Sequence, residues 1–297
     1  MRKLLFCILF LLSGCMPQKT AEQTITIVAS FYPVYILAKN ITDGVENITL
    51  ENMAQPQTGC LHDYQLTTKD RKALEKADLF FINGAGMESF LEGVKRQYHD
   101  LPIVDTSAGI ELLTSHHHHH HDHEDEPEQE YNGHLWLSSK NALKQAENIC
   151  VALSQKDATH AQQYQQNLAL FRQKIQEFQK QKKIKQQKVV VFHEGFDYIA
   201  EEYGFTISEE ILVEEEQTPS AKELAEIIDH AKQQQVTLFF AAEDEGKKYA
   251  ELLAKEVGAK VYILNPITSG ELEKEAYFKA MQQNRMVIQE AMENEHS

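Results

Sequence analysis

Positive charge is scarce in this 297-residue chain: 29 Lys and Arg stand against 45 Asp and Glu, a formal net charge of −16 at pH 7. A surface this acidic repels phosphate backbones, which excludes nucleic acid as a partner. Cysteine is scarce as well, with four residues at positions 7, 15, 60 and 150. Nor is the N-terminal apolar run, Leu4 to Leu12, long enough to span a bilayer as a mature helix. Preceded by Arg2 and Lys3 and followed by Leu12-Ser13-Gly14-Cys15, it has the layout of a signal peptide over residues 1–14 ending in a lipobox-like sequence. Cys15 is then the lipidated first residue, 15–23 a tether to the bilayer, and the location extracytoplasmic. Cys7 leaves with the signal, so an oxidising compartment leaves room for one disulfide, Cys60 to Cys150.

What is present is ordinary globular material: 42% hydrophobic and 25% charged residues, enough for a large core in one or two lobes. Two blocks share a rhythm of apolar strand followed by helix. The first has strands over Thr24–Ala29, Ile48–Met53, Ala77–Asn83 and Ile103–Thr106, with helices over Tyr32–Asn40 and Leu66–Lys76. The second has strands from Lys188 (KVVVF), over Phe205–Leu212, Val236–Ala241 and Lys260–Leu264, with helices over Tyr198–Tyr203, Ser220–Gln234 and Lys247–Val257. This alternation predicts an α/β protein of two Rossmann-like lobes with parallel sheets. Between the blocks, Asn141 to Gln187 holds neither Pro nor Gly, and Leu153, Tyr164, Leu168, Phe171, Ile175 and Phe178 recur at helical spacing. One or two helices are expected there, the later starting near Asp157 and running roughly 25 residues or more, longer than a typical globular helix. The resulting division is an N-terminal lobe over 24–150, a rigid linking helix over 151–187 and a C-terminal lobe over 188–297.

Residues 115–133 break the pattern. They hold His116, His117, His118, His119, His120, His121 and His123 among six acids, cannot bury apolar surface, and are expected to form a disordered loop. Lying mid-chain and interleaved with acids, the run is not an expression tag. A flexible imidazole tract points to transition-metal handling, and the tract is a candidate secondary, weaker metal-binding loop. Three isolated histidines lie where α/β proteins place ligands, past strand carboxyl ends or in adjacent loops. They are His62 after the second strand, His134 just after the acidic tract, and His193 directly after KVVVF. Two come from the first block and one from the second, so a metal held by all three would sit between the lobes. Neutral imidazole suits Zn²⁺.

The local sequences around these histidines carry a family resemblance over essentially the whole mature chain. Gly59-Cys60-Leu61-His62-Asp63-Tyr64 with Asp70 downstream, Gly133-His134-Leu135-Trp136-Leu137, Phe192-His193-Glu194-Gly195-Phe196-Asp197-Tyr198 with Tyr203-Gly204, and Thr218-Pro219-Ser220-Ala221 resemble the motifs of metal-specific substrate-binding lipoproteins of bacterial ABC transporters (cluster A-I), in the zinc-uptake branch. The resemblance implies two Rossmann-like lobes bridged by a long helix, and Zn²⁺ as the transported ligand on His62, His134 and His193. It also implies delivery to a separate membrane permease, no enzymatic activity, and a monomer. Two departures stand out. Asn265 replaces the acid that in some branches is the fourth ligand, and Cys60 and Leu61 stand where proline or acid is usual. The fourth position is then open to water, Cys60 or a carboxylate from Glu243 to Glu245. Imidazole at His193 favours Zn²⁺ over Mn²⁺. A manganese or other divalent carrier of the same family, a metal-stabilised surface adhesin and a zinc hydrolase are the alternatives. Against the last, Asp197 occupies the place where a zincin helix needs its second histidine.

Overall fold

The structure is a computed structural model that describes residues 24–55, 61, 64–114, 131–180, 187–211, 220–243 and 245–295. Residues 1–23 with Cys15, together with Cys60, His62, the histidines at 116–121 and 123, Thr218 and Pro219, lie outside the described residues.

The N-terminal lobe runs β1 (Ile25–Ala29), α1 (Tyr32–Ile41), β2 (Ile48–Asn52), α2 (Thr68–Lys76), β3 (Leu79–Ile82), α3 (Leu91–Gln97) and β4 (Ile103–Asp105). A 3-10 turn, Leu135–Leu137, leads into the paired helices α4 (Ser139–Lys156) and α5 (Ala161–Gln179). The C-terminal lobe follows as β5 (Lys188–Phe192), α6 (Phe196–Tyr203), β6 (Thr206–Glu210), α7 (Ala221–Gln233), β7 (Leu238–Ala241), α8 (Glu245–Val257), β8 (Lys260–Ile263) and α9 (Ala276–Glu295). All ladders between these strands are parallel, in the orders β2-β1-β3-β4 and β6-β5-β7-β8. The two lobes are thus the same topological unit, as the strand–helix rhythm predicts. Strands β3 and β7 are buried along their whole length because helices cover both faces, which is why they read LFFI and LFFA without alternation. In this order the chain reverses direction across the sheet between β1 and β3, and again between β5 and β7. Crevices open at the carboxyl ends of such strands.

The linking region folds as a helix pair with a break at Asp157. Asp157 closes α4 and its carboxylate turns back on the next turn, bonding the His160 ring (2.7 Å) and accepting from Tyr164 Oη (2.8 Å). That local competition ends one helix and starts another. The described part of α5 is 19 residues, shorter than the periodicity predicts. Residues 131–133 also depart from the loop expected over 115–133. Tyr131 bridges to Thr114, and Asn132 N–H donates to Leu113 O (2.9 Å). Cys150 lies on the buried face of α4 as a free thiol among the described residues, its ionisation pushed up by burial.

One hydrophobic core runs through both lobes. It joins the α1 face of the first sheet, α4, α5 and α9 to α6 and one face of the second sheet. Two smaller clusters lie under α2–α3 and under α7–α8. The chain also returns from β8 to the first lobe. Tyr32 Oη donates to Glu271 O (3.0 Å), Asn40 Nδ2 to Lys274 O (2.9 Å), and Lys274 pairs with Asp43. A shared core predicts that the lobes unfold together. Replacing Phe171, which packs on Phe278 (centroids 5.0 Å) and Tyr277, by Ala should cost about 3–5 kcal/mol. In a denaturant titration it should shift one single transition; two separately moving transitions would show that the lobes are independent.

Candidate metal centre

His193 sits where β5 ends and α6 begins, at the reversal point of the second sheet. His134 sits at the entry to the 3-10 turn and is 1% exposed. The two ring centroids are 5.1 Å apart, edge to face. A tetrahedral zinc with Zn–N of about 2.0–2.1 Å holds two imidazole centroids about 5.2 Å apart, so the pair has the spacing of two ligands to one ion. His134 follows β4 and the first sheet, and His193 directly follows β5 of the second. No three His, Cys, Asp or Glu side chains form a ready metal-holding group among the described residues, and His62 lies outside them.

Asn132 fixes the orientation of His134. It is fully buried, and its Oδ1 faces both His134 N–H (3.0 Å) and His134 Nδ1 (3.0 Å). Its Nδ2 donates to Glu194 O (2.8 Å) and Asp197 Oδ2 (3.2 Å). With the amide nitrogen committed to those two acceptors, Oδ1 must accept, so His134 carries its proton on Nδ1 and keeps the Nε2 lone pair for a cation. Asn132 N–H and C=O are used as well: Tyr198 Oη donates to Asn132 O (2.8 Å) and accepts from Leu113 N (3.2 Å). Burial, with the nearby acids Glu201, Asp197 and Glu194 adding to it, pushes the Tyr198 hydroxyl up to about 12, so it stays a donor.

His193 is placed differently. Its Nδ1 accepts from Gly195 N–H (3.0 Å) and its ring stacks on Phe196 (5.1 Å). A cation taking Nδ1 displaces that N–H; one taking the opposite nitrogen requires the ring proton to move. Gly195 is glycine for want of space: a Cβ there would lie 2.7 Å from Leu137 Cδ1 and 2.9 Å from His134 Cδ2. Trp136 completes the floor, donating from Nε1 to Pro266 O (2.8 Å) and accepting at its carbonyl from Tyr277 Oη (2.9 Å).

Of the side chains open to the fourth position, Glu243 alone is described, and Cys60 lies outside the described residues. Asn265 turns its Oδ1 onto Ile267 N–H (2.7 Å), holding the β8 exit. Glu243 is exposed and pairs with Lys247. Asp70, 2% exposed, caps α2: its Oδ2 accepts from Thr67 N–H (2.7 Å) and Tyr64 Oη (2.8 Å). Glu194 is the carboxylate that sequence reasoning passed over, with Oε2 3.9 Å from His134 Nδ1. Asn132 was also passed over, although an Asn two residues before a candidate ligand histidine is a readable hydrogen-bond partner.

Two α/β lobes that bring an imidazole at a strand end, His193, beside one at the turn leading into α4, His134, have the architecture of a two-lobed solute-binding protein. The chain matches, over residues 27–291, the family described as zinc-uptake complex component A, periplasmic, and belongs to it. It is 30% identical over 283 residues, 90% of this chain and 87% of the relative, to the high-affinity zinc uptake system protein ZnuA of Bacillus subtilis strain 168. It is 27% identical over 303 residues to the zinc-binding lipoprotein AdcA of Streptococcus pneumoniae, covering 97% of this chain and 60% of that longer protein. The crystal structure of the metal-dependent lipoprotein YcdH from Bacillus subtilis superposes with a TM-score of 0.72 at 26% identity, covering 90% of this chain and 98% of that one. The family is one of metal-binding solute carriers, not enzymes.

The tautomer assignment is directly testable. Long-range ¹H–¹⁵N spectra of imidazole-labelled protein should place the His134 proton on Nδ1. In Asn132→Ala the preference should be lost, and stability should fall by about 2 kcal/mol or more as buried groups lose their partner. A proton on Nε2 in the parent protein would contradict the geometry.

Proposed function

We propose that this protein captures Zn²⁺ outside the cytoplasm and delivers it to the membrane permease of an ABC transporter. The observation that carries the reading is the 5.1 Å spacing of His134 and His193 at the junction of the lobes, in a chain that belongs to a zinc-uptake family. Zinc is the cargo. His134 and His193 hold it, and His62, from the loop after β2, is the third ligand. Imidazole donors in these places favour a borderline cation over hard Mn²⁺. The histidines at 116–121 and 123 raise the local zinc concentration beside the site, since their segment leaves and re-enters the fold at the Thr114–Tyr131 bridge, two residues before Gly133. Lipid on Cys15 holds the protein at the membrane face, where it works as a monomer. No helix among the described residues is long and apolar enough to cross a membrane. The shared core supports a small local adjustment on zinc binding in place of a wide hinge.

Chelator-competition titrations test the reading. His193→Ala should weaken tight zinc binding by well over tenfold, in line with or beyond what loss of an outer-shell partner costs; unchanged affinity would overturn the assignment. Deleting residues 116–130 should leave the tight site intact and remove only weaker sites. Loss of all zinc binding on that deletion would place the main site in the loop.

A further inference from the structure

The connection from β3 to α3 carries a carboxylate sealed inside the protein. Glu88 is 5% exposed, and both its oxygens are engaged. Oε1 accepts from Ser30 Oγ (2.7 Å) and Asn83 N–H (2.7 Å), and Oε2 accepts from Gly84 N–H (3.1 Å). Ser30 follows β1 and Asn83 follows β3, so the carboxylate pins together the strand ends on either side of the reversal point of the first sheet. The loop wraps around it through three successive left-handed residues, Gly84 (φ 82°), Ala85 (φ 53°) and Gly86 (φ 79°). Such a run presents backbone N–H groups to an anion, and at Ala85 it costs backbone strain. At Gly84 a Cβ would also lie 2.0 Å from Asp105 Oδ1. Burial pushes the Glu88 carboxyl up to about 7 against the pull of Ser30, Asn83 and Gly84, and the charge that adds to the shift, Asp105, has the same sign. Without the carboxylate the buried Asn83 and Gly84 N–H groups would lose their acceptor, so the loop holds this shape only with an acceptor at position 88.

The outer side of this loop shows what the acid does. Asn83 Nδ2 donates to Gly133 O (2.8 Å), immediately before His134. Met87 closes on the same glycine, leaving 2.9 Å between its Cε and a Cβ placed there. Ser89 Oγ donates to Leu61 O (3.3 Å), and Phe90 meets Tyr64 edge to face (5.9 Å). One loop therefore grips the turn that presents His134 and also the chain at Leu61 and Tyr64.

We propose that Glu88 is a positioning residue for the metal site, its carboxylate holding the 83–90 loop in the shape that ties the His134 turn to Leu61 and Tyr64. The proposal rests on the zinc reading of the site. Its test compares zinc affinity, the visible spectrum of the Co²⁺-substituted protein and the melting temperature in the full chain and three variants. Glu88→Gln turns an amide donor toward backbone N–H groups and should weaken zinc binding about tenfold or more, with an altered Co²⁺ spectrum. Ser89→Ala removes one tether and no core contact. It should weaken zinc binding by up to about fivefold, the worth of one hydrogen bond, with the melting temperature lowered by no more than a few degrees. Should Glu88→Gln not fold, Ser30→Ala, which removes one donor to the Glu88 carboxylate, takes its place and should weaken zinc binding in the same direction. Wild-type affinity and spectrum in the folded loop variants, with tight binding lost in His193→Ala, would overturn the proposal and leave the site standing. Unchanged binding in His193→Ala would overturn the site and the proposal together.

Discussion

The side chain of Asn132 is the point on which the centre depends. Its four side-chain hydrogen bonds join His134, at the exit of the first lobe, to the Glu194 carbonyl and the Asp197 carboxylate, which flank His193 in the second. A buried amide with every donor and acceptor used is oriented in one way only, and that orientation hands His134 a fixed tautomer. On the His134 side the ring and its tautomer are therefore set by the protein, whereas His193 has to give up its bond from Gly195 N–H or shift its ring proton to take a cation. Preorganisation of this kind lowers the ordering cost of binding.

The core extends the same constraint over longer distances. Trp136 bonds the return segment at Pro266 and the α9 residue Tyr277. It also meets Phe31 after β1 edge to face (5.2 Å) and lies 5.2 Å from the His134 ring. With α4, α5 and α9 packed into one cluster that includes both sheets, bulk rotation of one lobe against the other would break apolar contacts on every side. The peripheral helices α7 and α8 rest on a separate cluster and can shift without that cost.

Much of this was legible in the sequence, for definite physical reasons. The runs LFFI, KVVVF and LFFA announce strands covered on both faces, and their alternation with amphipathic helices gives two parallel sheets. His134 and His193 could be singled out because each follows a strand end or a turn opening. What the sequence does not reveal is the partnership of distant polar atoms. Asn132 looks like a loop residue beside a polar tract, yet it is fully buried. Asp70 resembles part of a ligand motif and serves as a helix cap for α2. A helix start near Asp157 is legible in the sequence, but its cause is not: the stop comes from the Asp157 side chain bonding its own next turn. Glu88, a lone acid in a short loop, gives no sign in sequence that it is buried against its own backbone.

X-ray absorption at the zinc edge, on protein lacking residues 116–130 and loaded with one equivalent of Zn²⁺, tests the central claim most directly. The account predicts three imidazole nitrogens at about 2.0–2.1 Å. A first shell holding one imidazole or none would contradict it.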